Sequence, residues 1–220
     1  MGIISHAASH ALSSSTVLIF LTLLLLAATK RLSTCVSLFI VQSIIIAAQV
    51  FAIAGLHHSA EAYTVGSLVV LVKVIAIPYV LFYLIKKLRT TPDVKASLAP
   101  APSVFVAATL ILVSFSAVQS YAQELNVARD PLAAGVAIML TGCFLMITRN
   151  KALVQIMGLL ILENGIFMAA LVTTFGMPLV IEIGVAFDAL MGVFLMGLFT
   201  FRIRDSFADL DVSKLRRLRG

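Results

Sequence analysis

Three side chains in this sequence stand where ordinary burial does not put them: Lys73, Glu163 and Asp188 each fall near the middle of a long apolar run. Ionisable groups in a low-dielectric interior are drawn toward their neutral forms, carboxylates by taking up a proton and amines by giving one away. Proton relays use these residue types for that reason. The chemistry open to the set is thus proton transfer. Other reactive arrangements are missing from the sequence, which has no Gly-rich phosphate loop, no nucleophile elbow and no cysteine set for an iron–sulfur cluster. On its own the chain is expected to be non-catalytic.

The elements that must hold these groups follow from composition. Of 220 residues, 61% are hydrophobic and 12% charged, against roughly 25% charged in a soluble domain. The mean hydropathy is +1.10. A bilayer core of about 30 Å needs roughly 20 residues of helix to cross it, and the apolar runs at 14–29, 35–56, 62–86, 102–122, 131–148, 152–175 and 179–201 predict an all-α, polytopic membrane protein of about seven spans. Lysine and arginine then assign the sides. Lys30 and Arg31, Lys86, Lys87, Arg89 and Lys95, Arg149 and Lys151, and the tail with Lys214, Arg216, Arg217 and Arg219 fall on alternate ends, with Arg129 alone on the other side. This places the N-terminus outside and the C-terminus in the cytoplasm. The net charge of +6 is accounted for by these ends; with no basic and aromatic stripe, it does not point to nucleic acid.

The segment Arg89–Ser103, with Pro92, Pro100 and Pro102, reads as a cytoplasmic linker. It divides an N-terminal three-helix part, 1–88, from a C-terminal four-helix part, 104–205, followed by a basic tail, 206–220. No internal repeat is visible. Met1–Ser15 carries no positive charge ahead of the first apolar run, so that run is expected to stay as a span and not be cleaved as a signal peptide. Cys35 and Cys143 fall on different spans and read as small packing residues.

A charge at mid-bilayer costs about 2.5–3.5 kcal/mol on insertion scales, so the three together cost roughly 8–10 kcal/mol, comparable with a domain's net stability. From the rise of about 1.5 Å per residue, Lys73 lies about 16 Å from the outer end of its span, Glu163 about 16 Å from the inner end of its own, and Asp188 about 14 Å from the outer end. Groups at one depth suggest charge moving sideways, parallel to the membrane, toward a neighbouring subunit. Glu182, nearer the outer mouth, reads either as an uptake group or as an interfacial carboxylate. The competing reading is a buried ion pair, Lys73 with Glu163 or Asp188, that pins helices and carries nothing. Gly184 and Gly192 flank Asp188 and would admit a close backbone or water, or serve ordinary helix packing. Pro78 should free the carbonyl of Val74 and kink the third span beside Lys73. His57, His58 and Glu61 sit at the outer end between the second and third spans, where a loop role competes with proton collection. His6 and His10 have a metal-pair spacing but no acidic or thiolate companion, and read as solvated.

From Thr148 the sequence reads TRNKALVQIMGLLILENGIFMAALV. It resembles the second span of the small K subunit of respiratory complex I and of the C subunit of multisubunit cation/proton antiporters, through Arg149 and Asn150, Gly158 and Leu159, and Asn164 and Gly165. The segment AFDALMGVFLMGL looks like the third span of that subunit, with Asp188 where the complex I version keeps a buried glutamate. The stretch 131–204 thus resembles a complete three-helix subunit, and with extra helices before it the whole chain looks like the E component of hydrogenase-4, from the formate hydrogenlyase-type group 4 hydrogenases. One departure is visible: complex I places its other buried glutamate directly after the Gly-Leu pair, where this sequence has Leu160. Glu163 comes three residues later, one turn along nearly the same helix face.

The resemblance implies a subunit of a bacterial or archaeal inner membrane complex. Its partners would be antiporter-like subunits, a membrane anchor and, indirectly, a peripheral hydrogenase module, with nickel–iron and iron–sulfur centres in those partners and none in this chain. A subunit of a cation/proton antiporter is the nearest rival; a structural scaffold and a seven-helix receptor are rivals of other classes.

Overall fold

Among the described residues of the computed structural model every element is a helix. The structure describes residues 2–57, 60–87, 98–124, 127–149 and 152–173, together with Gly184 and Gly192; at 2–14, 56–57, 61, 87 and 152 it describes the backbone alone. The elements are α1 (Gly2–Ala28), α2 (Leu32–His57), α3 (Ala60–Val69), a π-helical segment (Val70–Ala76), α4 (Ile77–Lys87), α5 (Pro100–Glu124), α6 (Arg129–Thr148) and α7 (Ala152–Thr173). α3, the π segment and α4 follow one another without a gap. The chain divides after Glu182 into two units, and the helices named here all belong to the first.

Five stretches are long and apolar enough to cross a membrane: Leu32–Gly55, Ala62–Lys86, Pro100–Glu124, Arg129–Thr148 and Leu153–Thr173. They coincide with the second to sixth predicted spans. The first predicted span corresponds to Ser15–Ala28, a shorter apolar stretch within α1. The seventh, 179–201, and the tail lie outside the described residues apart from the two glycines. Pro100 and Pro102 belong to the first turn of α5, where a backbone N–H has no helical partner and proline is tolerated. The helix thus starts within the stretch that the sequence assigns to the linker.

Lipid tails are as apolar as leucine, so helices in a bilayer are held by close packing and polar contacts more than by the hydrophobic effect. The α6–α7 hairpin shows this most directly. A Cβ built on Gly142 would meet the Gly158 carbonyl oxygen and the Leu162 nitrogen at 2.7 Å. One built on Gly165 would meet the Met139 nitrogen at 2.6 Å and the Gly135 carbonyl oxygen at 2.7 Å. Only hydrogen at these positions lets the two antiparallel backbones touch. Elsewhere α1 packs on α2, α5 and α6, and α2 on α7 and on the rod from α3 to α4, so helices from both sides of the proline-rich stretch share one bundle. Gln49 Nε2 donates to Ser15 Oγ at 2.6 Å across the α1–α2 contact. Thr22, Ser114 and Thr148 donate instead to carbonyls one turn back in their own helices, which hides hydroxyls that lipid would not solvate.

The outward faces carry apolar stripes of their own: Val17, Leu21 and Leu25 on α1, and Leu71, Ile75 and Tyr79 along the third span. Replacing Gly142 by alanine is expected to lower the stability of the purified protein in detergent by about 1–3 kcal/mol, the usual range for overpacking a filled interior. Leu112→Ala on the outward face of α5 should leave the thermal unfolding midpoint nearly unchanged, and equal effects of the two would contradict the packing described.

Candidate functional site

α7 presents two opposite faces. At 3.6 residues per turn, Gly158, Leu162, Gly165 and Ala169 fall in one narrow arc against α6, while Glu163, Asn164 and Phe167 fall on the far side. That far side meets α2 and the π segment. The crowded glycine face therefore orients the polar one.

Lys73 reaches the same point from the π segment. There the Ile77 N–H donates to the Val72 carbonyl, a five-residue step in place of the usual four. Pro78 has no N–H to give to Val74, which is the local reason the α-helical ladder does not simply continue; the expected kink is realised as a wide turn. π turns inside α-helices recur at functional sites, and this one contains the buried lysine.

The side chains form one connected centre. Lys73 Nζ lies 2.8 Å from Glu163 Oε1, donates to Asn164 Oδ1 at 3.2 Å and stands 5.4 Å from the centroid of the Phe167 ring. Asn164 Nδ2 donates to Gln42 Oε1 at 3.3 Å and to Ser43 Oγ at 3.2 Å, both on α2. Lys73 is 2% exposed and Glu163 4%, and Asn164, Gln42 and Ser43 are still more deeply buried. Two charges taken out of water cost several kcal/mol each, repaid only by close opposite charge and further hydrogen bonds; the short ion pair supplies the first, and Asn164 accepts a hydrogen bond from the lysine. A proton passing from Nζ to Oε1 would turn the pair into a neutral amine and a neutral acid, so the pair has two forms that carry no net charge.

Of the residues singled out in the sequence, the structure thus brings Lys73 and Glu163 together. Asp188, Glu182 and His58 lie outside the described residues. His57 ends α2 and Glu61 is the second residue of α3, with side chains outside the description. The sequence does not announce Asn164 and Phe167 as neighbours of the lysine, nor Gln42 and Ser43 as partners of Asn164. Among the described residues no three His, Cys, Asp or Glu side chains come together.

A second buried cation sits at the turn between α6 and α7. Arg149, expected as a charge marking the inner end of a span, folds inward, and its Nη2 donates to the Ala27 carbonyl at 2.9 Å. It thereby satisfies one of the carbonyls left over at the C-terminus of α1, where positive charge is also favoured by the helix dipole. Burial draws its guanidinium below the usual range, and the nearby Cys35 acts in the opposite sense. The Arg149 carbonyl accepts from Gln155 Nε2 at 3.1 Å, tying the turn to α7.

Comparison with known proteins bears on this bundle as a whole. Over 205 residues, 92% of this chain and 94% of the relative, it is 26% identical to hydrogenase-4 component E of Escherichia coli. The chain is thus similar to hydrogenase-4 component E over nearly its whole length. The Shigella flexneri hydrogenase-4 component E aligns to the same extent. A further relative, an uncharacterized protein of Mycobacterium tuberculosis, is 38% identical over 120 residues, so that the match spans about half of either chain, 54% of each. No family profile and no solved structure matches the chain.

If the centre is held as described, Lys73→Met strands a buried carboxylate and Glu163→Gln a buried ammonium, and each should destabilise the protein by about 3–5 kcal/mol. The double variant should be more stable than the sum of the two losses predicts, by about 0.5–3 kcal/mol. Thermal unfolding of the four proteins measures this, and strict additivity would contradict a direct pair.

Proposed function

We propose that this protein is a membrane subunit of a group 4 hydrogenase complex of the hydrogenase-4 type, and that Lys73 and Glu163 form one station of a lateral proton path through it. The observation that carries the reading is the buried pair at 2.8 Å, inside an amide and hydroxyl shell on three helices. Helices in lipid associate through small residues and uncharged polar groups at far lower cost than through charges. Here the α6–α7 hairpin already packs through glycines, so the charges are not needed to hold that hairpin together. A pair with two forms of no net charge can pass a proton on without leaving an ion in the hydrocarbon.

In this reading the chain has about seven spans, with the N-terminus outside and the C-terminus in the cytoplasm of a bacterial or archaeal cell. Asp188 and Glu182 extend the path, and His57, His58 and Glu61 collect protons at the outer side. The subunit joins antiporter-like subunits and a membrane anchor to a peripheral hydrogenase module. Nickel–iron and iron–sulfur centres belong to those partners.

The test replaces Glu163 by Gln, Asp188 by Asn and Lys73 by Met in the chromosomal gene, then purifies the complex and assays inverted membrane vesicles. Copurification of a hydrogenase large subunit supports the assignment, whereas an antiporter assembly without one overturns it. In variants that assemble, hydrogen turnover should persist while proton translocation falls about a hundredfold, the scale of losing a positioned proton-transfer group. Coupling left intact in all three would make the subunit a scaffold.

A further inference from the structure

The hydrogen-bond polarity of the centre can be followed outward from Lys73. An ammonium has three donors and no acceptor, so the Asn164 atom that meets it must be the oxygen, as observed at 3.2 Å. Both N–H groups of Asn164 Nδ2 are thereby spent on α2, one on Gln42 Oε1 and one on Ser43 Oγ. Gln42 must in turn offer its oxygen to Asn164. Its Nε2, with two N–H groups, is left over. Gln42 is 0% exposed, and among the described residues Nε2 has no hydrogen-bond partner. Leaving such a donor unmet inside a protein is costly, and a native structure seldom does so.

The chemistry of what fits there is narrow. An N–H donor repels cations. The charges of Lys73 and Glu163 cancel, so an anion would find no net positive charge to repay its dehydration. What remains is an uncharged oxygen acceptor, and a site closed to solvent calls for a small one. We infer that Gln42 Nε2 binds an ordered internal water, the first of a short water chain through which the Lys73–Glu163 pair exchanges protons. Buried waters typically serve buried polar groups left otherwise unmet.

In each transfer the water takes a proton from one side and releases another to the next oxygen. The water is regenerated, the pair changes by one proton, and no electrons move. Gln42 itself ionises at neither of its atoms, so it is a positioning residue: Oε1 holds Asn164 toward the lysine and Nε2 holds the water. The role of this water rests on the proposed function; its presence does not.

The experiment is a cryo-electron microscopy map of the whole membrane complex at a resolution that shows waters, together with vesicle translocation assays. The native map should show a peak about 2.7–3.2 Å from Gln42 Nε2. In Gln42→Met that peak should disappear, and translocation per hydrogen turned over should fall about tenfold. Gln42→Glu, whose acid form keeps both an acceptor and a donor, should retain the peak and stay within about threefold of the native rate. A protein side chain or an empty map at Nε2 in the native complex overturns the inference without any variant. A peak in the native map with an unchanged rate in Gln42→Met, or a Gln42→Glu rate as low as that of Gln42→Met with the peak retained, overturns the role of the water. Intact translocation in Lys73→Met and Glu163→Gln would instead defeat the proposed function, while the map would still report on the water.

Discussion

A lysine and a glutamate that must share one another's charge deep inside a hydrocarbon-like interior set the conditions for most of what surrounds them. Neither is stable there alone. Three helical elements therefore have to converge within hydrogen-bond distance at one level: the π segment with Lys73, α7 with Glu163 and Asn164, and α2 with Gln42 and Ser43. Asn164 is the hinge of this arrangement, because one of its ends can meet a cation and the other can meet oxygens. The aromatic ring of Phe167 covers the ammonium from a further side, a contact favoured when water is excluded.

The charged members of this centre were legible in the sequence, and for a simple reason. A lysine or a glutamate inside an apolar run breaks a pattern that lipid enforces, and counting helical rise from the span ends puts both at one depth. The uncharged members were not legible in the same way. Gln42 and Ser43 are ordinary in any helix, and nothing in their spacing says that they meet Asn164, 122 and 121 residues later in the chain. Asn164 entered only as part of a motif. The glycines that fix the orientation of α7 are likewise common residues; their seven-residue spacing on both helices, 135 and 142 against 158 and 165, is the signal that could have found the crossing.

The second to sixth predicted spans were recovered because length and apolarity are imposed by the bilayer, whereas the inward face of each was not, because inside and outside are both apolar. Phe105 and Ile147 face outward and Phe39 and Ile138 inward, and hydrophobicity does not distinguish them. Pro78 gave a warning of irregular backbone whose form could not be read: losing one donor is compatible with a kink or with a wide turn, and the structure has the turn. Arg149 shows the opposite limit. A positive charge at a span end satisfies the rule for topology, yet this one is turned inward as a cap on α1.

The hairpin of α6 and α7 leaves no room for even a methyl group between its backbones at Gly142 and Gly165. The two backbones are therefore in direct contact behind the polar centre. The α6 side of α7 offers backbone packed on backbone, whereas the α2 side offers the amide of Gln42 and the hydroxyl of Ser43. Among the described residues, α7 thus has a back closed by backbone against α6 and a front that carries the polar centre, a division set by the smallest side chain in the sequence.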